Sequence, residues 1–343
     1  MSWLETELRE QPAALARLLD RQRARSAELA AAFRRDDVRY VLIASRGSSS
    51  NAARYAQYVL GRANRVPVMF ATPSLYTIYE QPPRLDGAIV LGISQSGASP
   101  DVRAVLAEAR RQGRPTLALT NDPESPLARE ADEVLPLEAG EERAVAATKT
   151  YLAEIAVVAL LSAALSGDDE SLAQLRAVPA AMRAALEVEP LVERLAAERA
   201  GMEDCVVLAR GFHYATAREW ALKLKELTGV LADPYSGADF QHGPITLAGA
   251  GSEVLAVATD GPAVAGMQEL LGRLRERGAR VLALSDDPRT LAIDQGVPLP
   301  ALPEWLSPLA AIIPGQLFAY HLALARGLDP DAPRNLQKVT RTL

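Results

Sequence analysis

Short apolar runs alternate with longer segments of helical periodicity along most of the chain. The runs "VLIA", from Val41 to Ala44, and "AIVLGI", from Ala88 to Ile93, contain no charged residue. A continuous apolar run bounded by turn residues is typical of a strand that is buried on both faces, as in a parallel sheet. The segments between the runs gather their apolar residues on one helix face. The pattern therefore predicts an α/β protein in which helices cover parallel sheets.

Two pairs of segments indicate an internal duplication. The segment "VLIASRGSSSNAARYA" resembles "VVLARGFHYATAREWA", and "RRQGRPTLALTNDP" resembles "RERGARVLALSDDP". The first pair is offset by 164 residues, from Gly47 to Gly211, and the second by 165 residues, from Pro123 to Pro288. Two matches at nearly one offset predict two copies of an α/β domain.

The duplication defines the expected domain organisation. The predicted parts are an N-terminal helical segment (1–37), a first α/β domain (38–165), a helical linker (166–202), a second α/β domain (203–325) and a C-terminal tail (326–343).

Composition narrows the possible functions. The 343 residues favour two domains, and the net charge of −6 without a Lys/Arg cluster argues against a nucleic-acid partner. No apolar stretch reaches a membrane span of about 18 residues without charges or breakers. The single cysteine, Cys205 in "CVVLA", excludes a disulfide framework or a zinc site by count and is interpreted as a core thiol. We expect a cytoplasmic protein.

The loop after one predicted strand is rich in hydroxyl groups. In "LGISQSGASPD" the chain turns into a helix, with Ser99 as its predicted N-cap and Pro100 as its first residue. Ligands bind beyond the carboxyl ends of parallel strands, where helix N-termini favour an anion. The hydroxyls of Ser94, Ser96 and Ser99 would hold a phosphate without a cation, and Gly97 would let the backbone approach it. The alternative interpretation is a plain capped turn.

The second copy lacks these hydroxyls. Its equivalent stretch is "ATDGPAV", where Asp260 would repel a phosphate. The first copy alone is therefore predicted to bind the anion.

Several motifs resemble a known family in their order and spacing. These are "RGSSS", "SQSGASPD", "AVAATKT", "REWALKLKELTGVLADPYSGADFQHGP" and "DAPRNLQKVT". They are similar to the tandem sugar-isomerase (SIS) module that forms the isomerase half of glucosamine-6-phosphate synthases, from residue 38 to the C-terminus. The resemblance implies two SIS domains, each a parallel sheet flanked by helices in a flavodoxin-like three-layer sandwich. It implies no metal and no organic cofactor.

Three charged residues share one face of a predicted helix. In "REWALKLKEL", Glu219, Lys223 and Glu226 stand at i, i+4 and i+7 beside an apolar stripe. Interconversion of an aldose and a ketose phosphate needs a base that reaches both carbons between which the proton moves. The resemblance implies that Glu226 is this base and that Glu219 and Lys223 orient it. A solvated helix face is the alternative.

The resemblance also assigns a histidine and a lysine. His242, in "FQHGPI", corresponds to the family's ring-opening histidine, in a loop that reaches the neighbouring subunit's site. A homodimer is therefore expected. Lys338, in the tail, corresponds to a ring-opening or carbonyl-polarising residue. His213 and His321 match no family position and are interpreted as helix-packing residues.

The resemblance implies a set of contacts to the substrate. Phosphate and sugar contacts are expected from Ser49, Ser94, Gln95, Ser96 and Ser99, and from the backbone near Val145.

Three positions depart from the family pattern. Ala147 stands where the synthases have a serine, Arg46 where they have a cysteine, and Asp233 where they have a glutamate. The added cation of Arg46 would suit a different sugar or an acidic substituent.

The sequence as a whole predicts an enzyme that acts on a phosphorylated amino sugar. The first hypothesis is conversion of glucosamine 6-phosphate to fructose 6-phosphate and ammonia, since we expect no glutaminase domain with its nucleophilic cysteine. A fructosamine-phosphate deglycase is the second, with Arg46 binding an amino-acid carboxylate. The third is a non-catalytic sugar-phosphate sensor, a role that usually couples one SIS domain to a DNA-binding module.

Overall fold

The computed structural model of the chain describes residues 2–34 and 38–338. Its strands form two separate five-stranded sheets. The strands are β1 (Tyr40–Ser45), β2 (Val68–Phe70), β3 (Ala88–Ile93), β4 (Thr116–Thr120), β5 (Glu133–Pro136), β6 (Asp204–Ala209), β7 (Leu231–Ser236), β8 (Glu253–Val257), β9 (Arg280–Ser285) and β10 (Gln295–Pro298).

Helices connect the strands and precede each sheet. The helices are α1 (Trp3–Phe33), α2 (Gly47–Asn64), α3 (Ser74–Thr77), α4 (Pro100–Arg111), α5 (Pro126–Glu130), α6 (Lys149–Ser166), α7 (Asp169–Leu186), α8 (Glu189–Ala197), α9 (His213–Thr228), α10 (Gly237–Phe240), α11 (Val264–Glu276), α12 (Pro288–Leu291) and α13 (Ser307–Ala325), with a 3₁₀ turn at Pro244–Leu247.

The two sheets have the same topology. Their strand orders are β2-β1-β3-β4-β5 and β7-β6-β8-β9-β10, and the paired strands are parallel throughout. This is the flavodoxin-like order, in which the chain first builds toward one edge and then toward the other. The prediction of two copies of a helix-flanked parallel sheet is confirmed.

The chirality of the connections places helices on both faces of the first sheet. The β1–α2–β2 and β3–α4–β4 units leave the centre of the sheet in opposite directions. Because such crossovers are right-handed, α2 and α4 cover opposite faces. Every residue of β3 is buried, and its Val90 packs with Val102 and Leu106 of α4 in the core. This double cover explains why the strand is an unbroken apolar run.

The second sheet is built in the same way. Its core includes Leu208 of β6, Val254 of β8 and the apolar face of α11 at Leu270 and Leu274. The single thiol, Cys205, lies on β6 and is buried, and burial raises its pKa to about 12.

The described chain divides into two compact units, which are treated separately below. The first-sheet unit contains residues 13–34, 38–142, 149–176 and 337–338. The second-sheet unit contains residues 2–12, 143–148 and 177–336.

Two helices of the described chain are long and apolar enough to cross a membrane by length and composition. They are Lys149–Ser166 and Ser307–Ala325, and 83% of each apolar window is buried inside the protein. Core helices of globular domains meet the same criterion, because a helix that is apolar all round is buried.

Candidate active site

The carboxyl edge of the first sheet brings several predicted substrate contacts together. Strands β1 and β3 are neighbours, and their following helices run to opposite faces, which is the switch point where open parallel sheets bind ligands. Arg46 follows β1, and Asp101 lies in the first turn of α4, after β3. The Arg46 Nε donates to the Asp101 carboxylate at 2.6 Å, so the two connections are in contact at this edge.

The loop between β3 and α4 is fixed by packing. Gly97 has a φ of +59°, and a Cβ added to it would lie 2.1 Å from the Ser125 Oγ. Its carbonyl accepts the N–H of Leu127 at 2.9 Å. Both the left-handed backbone and the close neighbour therefore require glycine here. The expectation that Gly97 serves the approach of a ligand is incomplete, because packing against Ser125 demands glycine as well.

Ser99 occupies the N-cap position of α4 and Pro100 is its first residue, as predicted. However, the Ser99 hydroxyl makes no capping hydrogen bond. The buried Asp101 carboxylate takes over part of that role by accepting the N–H of Val102 at 2.9 Å. The capped-turn alternative therefore does not account for the Ser99 hydroxyl. Ser94 is buried, while Gln95, Ser96 and Ser99 are partly exposed.

Ser49 has a partner that sequence reasoning missed. Its hydroxyl donates to the carboxylate of Glu154 at 2.7 Å, from the buried face of α2 to that of α6. Glu154 is 1% exposed. A hydroxyl that gives its proton to a buried carboxylate must reorient in order to donate to a phosphate oxygen.

Arg46 is a partly exposed cation at the same edge. Half of its side chain is accessible, whereas the Asp101 carboxylate that it meets is fully buried. A carboxylate in the first turn of a helix is stabilised by the helix dipole. The ion pair holds the guanidinium between the starts of α2 and α4 and partly neutralises its charge there.

The second-sheet unit holds the predicted acid–base cluster on α9. The Lys223 Nζ lies 3.4 Å from the Glu219 carboxylate and donates to the Glu226 carboxylate. Glu219 and Lys223 are fully buried, and 18% of the Glu226 side chain is exposed. Helical spacing places all three on one face. Glu226 is thus the partly exposed member of a buried ion cluster.

An aromatic contact supports the neighbouring face of α9. Trp220 packs edge-on against Phe318 of α13, with ring centroids 5.7 Å apart. A Cβ at Gly315 would lie 3.0 Å from the indole, so α13 approaches α9 closely at that point. The rigid contact fixes α9 and with it the charged cluster.

His242 and Val145 both lie outside regular helices and strands. His242 is exposed after α10, and its N–H donates to the Asp239 carbonyl at 3.0 Å. The following Gly243 has a φ of +132°, which side chains rarely permit. Val145 lies in a bend before α6 and is partly exposed.

Lys338 belongs to the first-sheet unit. Its Nζ donates to the Glu142 carboxylate at 2.8 Å. The same carboxylate accepts the N–H of Thr150 at 3.0 Å and the hydroxyl of Thr150 at 2.7 Å, at the start of α6. Burial raises the pKa of Glu142, but the charge of Lys338 and these hydrogen bonds outweigh it and lower the pKa below its usual value.

Sequence reasoning missed Glu142. It lies seven residues before Lys149, where α6 begins, so no helix-capping pattern in the sequence marks it.

The equivalent edge of the second sheet is occupied by the protein's own groups. His213 is buried, and its Nε2 lies 2.8 Å from the Thr259 hydroxyl and 2.7 Å from that of Ser307. Burial lowers the pKa of His213 to about 3. The backbone N–H of Asp260 donates to Asp286 at 2.7 Å. This edge differs from that of the first sheet, where hydroxyls line the loop.

The remaining histidine makes a helix contact. The His321 Nε2 lies 3.1 Å from the Glu189 carboxylate. Among the residues that the structure describes, no group of three or more His, Cys, Asp and Glu side chains could hold a metal ion.

Comparison with known proteins identifies the family. The SIS domain matches residues 34–164 and 203–326. A glutamine–fructose-6-phosphate aminotransferase (isomerizing) from Zymomonas mobilis is 35% identical over 323 residues, which cover 89% of this chain and 52% of that protein. The chain thus spans about half the length of the curated relatives that it matches.

Solved structures agree with this result. The C-terminal domain of glucosamine-fructose-6-phosphate aminotransferase from Francisella tularensis superposes with a TM-score of 0.89 at 25% identity, covering 97% of this chain and 98% of that one. A protein from Silicibacter pomeroyi that is described as a phosphosugar isomerase is 32% identical, with a TM-score of 0.87 over 96% of this chain and all of that one. The chain belongs to the SIS-domain family, with two SIS domains in tandem. Within the family it is homologous to the isomerase domain of the glucosamine-fructose-6-phosphate aminotransferases.

Proposed function

We propose that the protein is a phosphosugar isomerase that converts glucosamine 6-phosphate to fructose 6-phosphate and ammonia. The observation that carries the proposal is Glu226, a partly exposed carboxylate held by the buried Lys223 on α9. A base for proton transfer between adjacent carbons must be fixed and yet accessible to the sugar. The substrate class is supported by relatives named for glucosamine and fructose 6-phosphate.

The proposed reaction begins with the open-chain aldehyde. Glu226 removes the proton from C2 to give an enaminol and returns it to C1, which forms a 2-imino ketose phosphate. One water then adds at C2 and ammonia leaves, so that fructose 6-phosphate remains. Lys223 and Glu219 keep the Glu226 carboxylate in place during both transfers.

The phosphate would bind at the carboxyl edge of the first sheet. We assign its contacts to the hydroxyls of Ser49, Ser94, Ser96 and Ser99, supported by the N-termini of α2 and α4. Gln95 would reach a sugar hydroxyl, and the backbone at Val145 would cover the sugar. Arg46 would add a charge-assisted contact to the phosphate.

His242 and Lys338 are proposed to open the sugar ring and to polarise its carbonyl. We propose a homodimer in which the partner subunit's His242 completes each site. We also propose that the enzyme acts in the cytoplasm, where phosphorylated sugars are retained.

One observation favours a second candidate, a fructosamine-phosphate deglycase. Arg46 is half exposed at the predicted phosphate edge, where its guanidinium could meet the carboxylate of an amino-acid substituent. Its ion pair with Asp101 weakens this candidate, because the charge is already partly neutralised.

A single assay separates these functions. Ammonia and fructose 6-phosphate are measured after incubation of the purified protein with glucosamine 6-phosphate, and in parallel with fructosamine 6-phosphates. For Glu226→Gln we expect a loss of about 10²- to 10⁴-fold in kcat. Glu193→Gln, which removes an exposed carboxylate on α8, is the matched control and should retain full turnover.

Each alternative outcome has one interpretation. Turnover of fructosamine phosphates alone would replace the proposal with the deglycase. Binding of these sugars without any turnover would indicate a sensor, and unchanged turnover by Glu226→Gln would refute the assignment of the base.

A further inference from the structure

A buried carboxylate meets the lysine of the tail. Glu142 has no exposed side-chain surface, whereas 24% of the Lys338 side chain is accessible. The distance of 2.8 Å between the Lys338 Nζ and the Glu142 carboxylate is that of a charge-assisted hydrogen bond. The Glu142 carboxylate is thus held inside the protein, and the partly exposed Lys338 ammonium donates to it.

We propose that Glu142 is a positioning residue for Lys338: it holds the ammonium of the tail at the start of α6 in the first-sheet unit. The proposal rests on the role given to Lys338 in the proposed function, and it adds a second residue to that role. Burial of a charged carboxylate costs free energy unless a cation pairs with it. The Glu142–Lys338 ion pair therefore favours the tail conformation in which the Lys338 ammonium contacts Glu142. An exposed ion pair would contribute little to such a preference.

The Glu142 carboxylate also accepts hydrogen bonds from α6. Thr150, in the first turn of α6, donates both its N–H and its hydroxyl to Glu142. Three donors to one carboxylate leave the side chain little rotational freedom. The Nζ of Lys149, the buried first residue of α6, donates to the Glu141 carbonyl at 2.7 Å.

In the sequence, Glu142 directly precedes the segment proposed to cover the sugar. Glu142 and Thr150 bracket residues 143–148, which include Val145. A change at Glu142 would release Lys338 from this position. Misplacement of a catalytic group by about 1 Å can reduce turnover about 10²-fold.

Tail order can be tested without a substrate. We would measure hydrogen–deuterium exchange of the peptide spanning residues 327–338 in the wild type, Glu142→Gln and Thr150→Val. Exchange should rise in Glu142→Gln, which removes the charge, and stay near the wild-type level in Thr150→Val, which removes only a hydroxyl bond to the same carboxylate. Equal exchange in all three proteins would overturn the proposal, whatever the enzyme's substrate is.

The tail lysine provides a second pair of variants if Glu142→Gln does not fold. Lys338→Arg keeps the ion pair and should keep the tail protected, although it loses the primary amine. Lys338→Met should increase exchange of the tail. The proposal fails if Lys338→Met leaves that exchange unchanged.

Turnover separates positioning from simple helix capping. In Glu142→Gln we expect kcat to fall about 10- to 100-fold with little change in KM, because the phosphate contacts remain. In a double-mutant cycle, Glu142→Gln should cause no further loss when Lys338→Met is already present. A full additional loss in that background would mean that Glu142 acts through the helix and not through Lys338.

Discussion

At the scale of single residues, the conformation of the loop between β3 and α4 depends on Gly97. Gly97 combines a φ of +59° with a Ser125 Oγ that leaves no room for a Cβ. Gly113, in the turn after α4, has a similar φ of +67° but has no atom within 4 Å of a Cβ added there. Alanine substitutions at Gly97 and Gly113 therefore distinguish two costs: backbone strain at both positions, and a steric clash of the Cβ at Gly97 alone.

We predict that Gly97→Ala lowers the free energy of unfolding by more than about 2 kcal/mol, because conformational strain and the clash add. Gly113→Ala should cost only about 1 kcal/mol, from strain alone. Urea unfolding of both variants measures the difference. Equal losses would show that Ser125 gives way and that packing does not hold the loop.

At the scale of elements, the proposed function gives stability and ligand binding to different residues at the N-terminus of α4. The Ser99 hydroxyl makes no capping bond, whereas the buried Asp101 carboxylate bonds to Arg46 and to the backbone. Stability and ligand contact are thus assigned to different residues of one helix turn.

Ser99→Ala should change the free energy of unfolding by less than about 0.5 kcal/mol and weaken the binding of a hexose 6-phosphate about tenfold. Asp101→Asn should cost about 1–3 kcal/mol, because it removes the charge of the charge-assisted hydrogen bond with Arg46 and the favourable interaction of the carboxylate with the helix dipole. Thermal unfolding and calorimetric titration measure the two effects. A large loss of stability in Ser99→Ala, without loss of affinity, would contradict the assignment.

The elements also show what a sequence can and cannot predict here. Buried strands such as β3 are apolar at every position, so their presence and the duplication could be predicted from local pattern. The spacing on α9 likewise predicts that Glu219, Lys223 and Glu226 share a face. Glu142 and Glu154 were missed because their partners, Lys338 and Ser49, are far away in the chain, and no periodicity links them.

At the scale of the whole molecule, one buried imidazole links stability to pH. His213 has its pKa lowered to about 3 by burial, against 6.5 for the free side chain. Below pH 6.5 the unfolded chain binds a proton that the folded protein does not bind. Stability must therefore fall as the pH is lowered through this window.

We predict a loss of up to about 1.4 kcal/mol per pH unit below pH 6.5 from this group, measured by urea unfolding at a series of pH values. His213→Asn should be less stable at neutral pH and should lose this part of the slope. His242→Gln, which changes an exposed loop residue, is the control and should retain the slope. If His213→Asn kept the wild-type pH dependence of the free energy of unfolding, the attribution of that dependence to His213 would be wrong.

The proposed dimer makes a prediction that only the assembled molecule can test. If the partner's His242 completes each site, a heterodimer of Glu226→Gln and His242→Ala subunits contains one intact site, because each subunit supplies the group that the other lacks. The separately tagged subunits are co-expressed and the heterodimer is purified. We expect about half of the wild-type turnover from it and almost none from either homodimer.

A heterodimer of Glu226→Gln and Lys223→Met is the control. Both substitutions lie on α9, so each of its two sites carries one of them and no activity should return. An inactive Glu226→Gln/His242→Ala heterodimer would mean that His242 does not act across the subunit boundary.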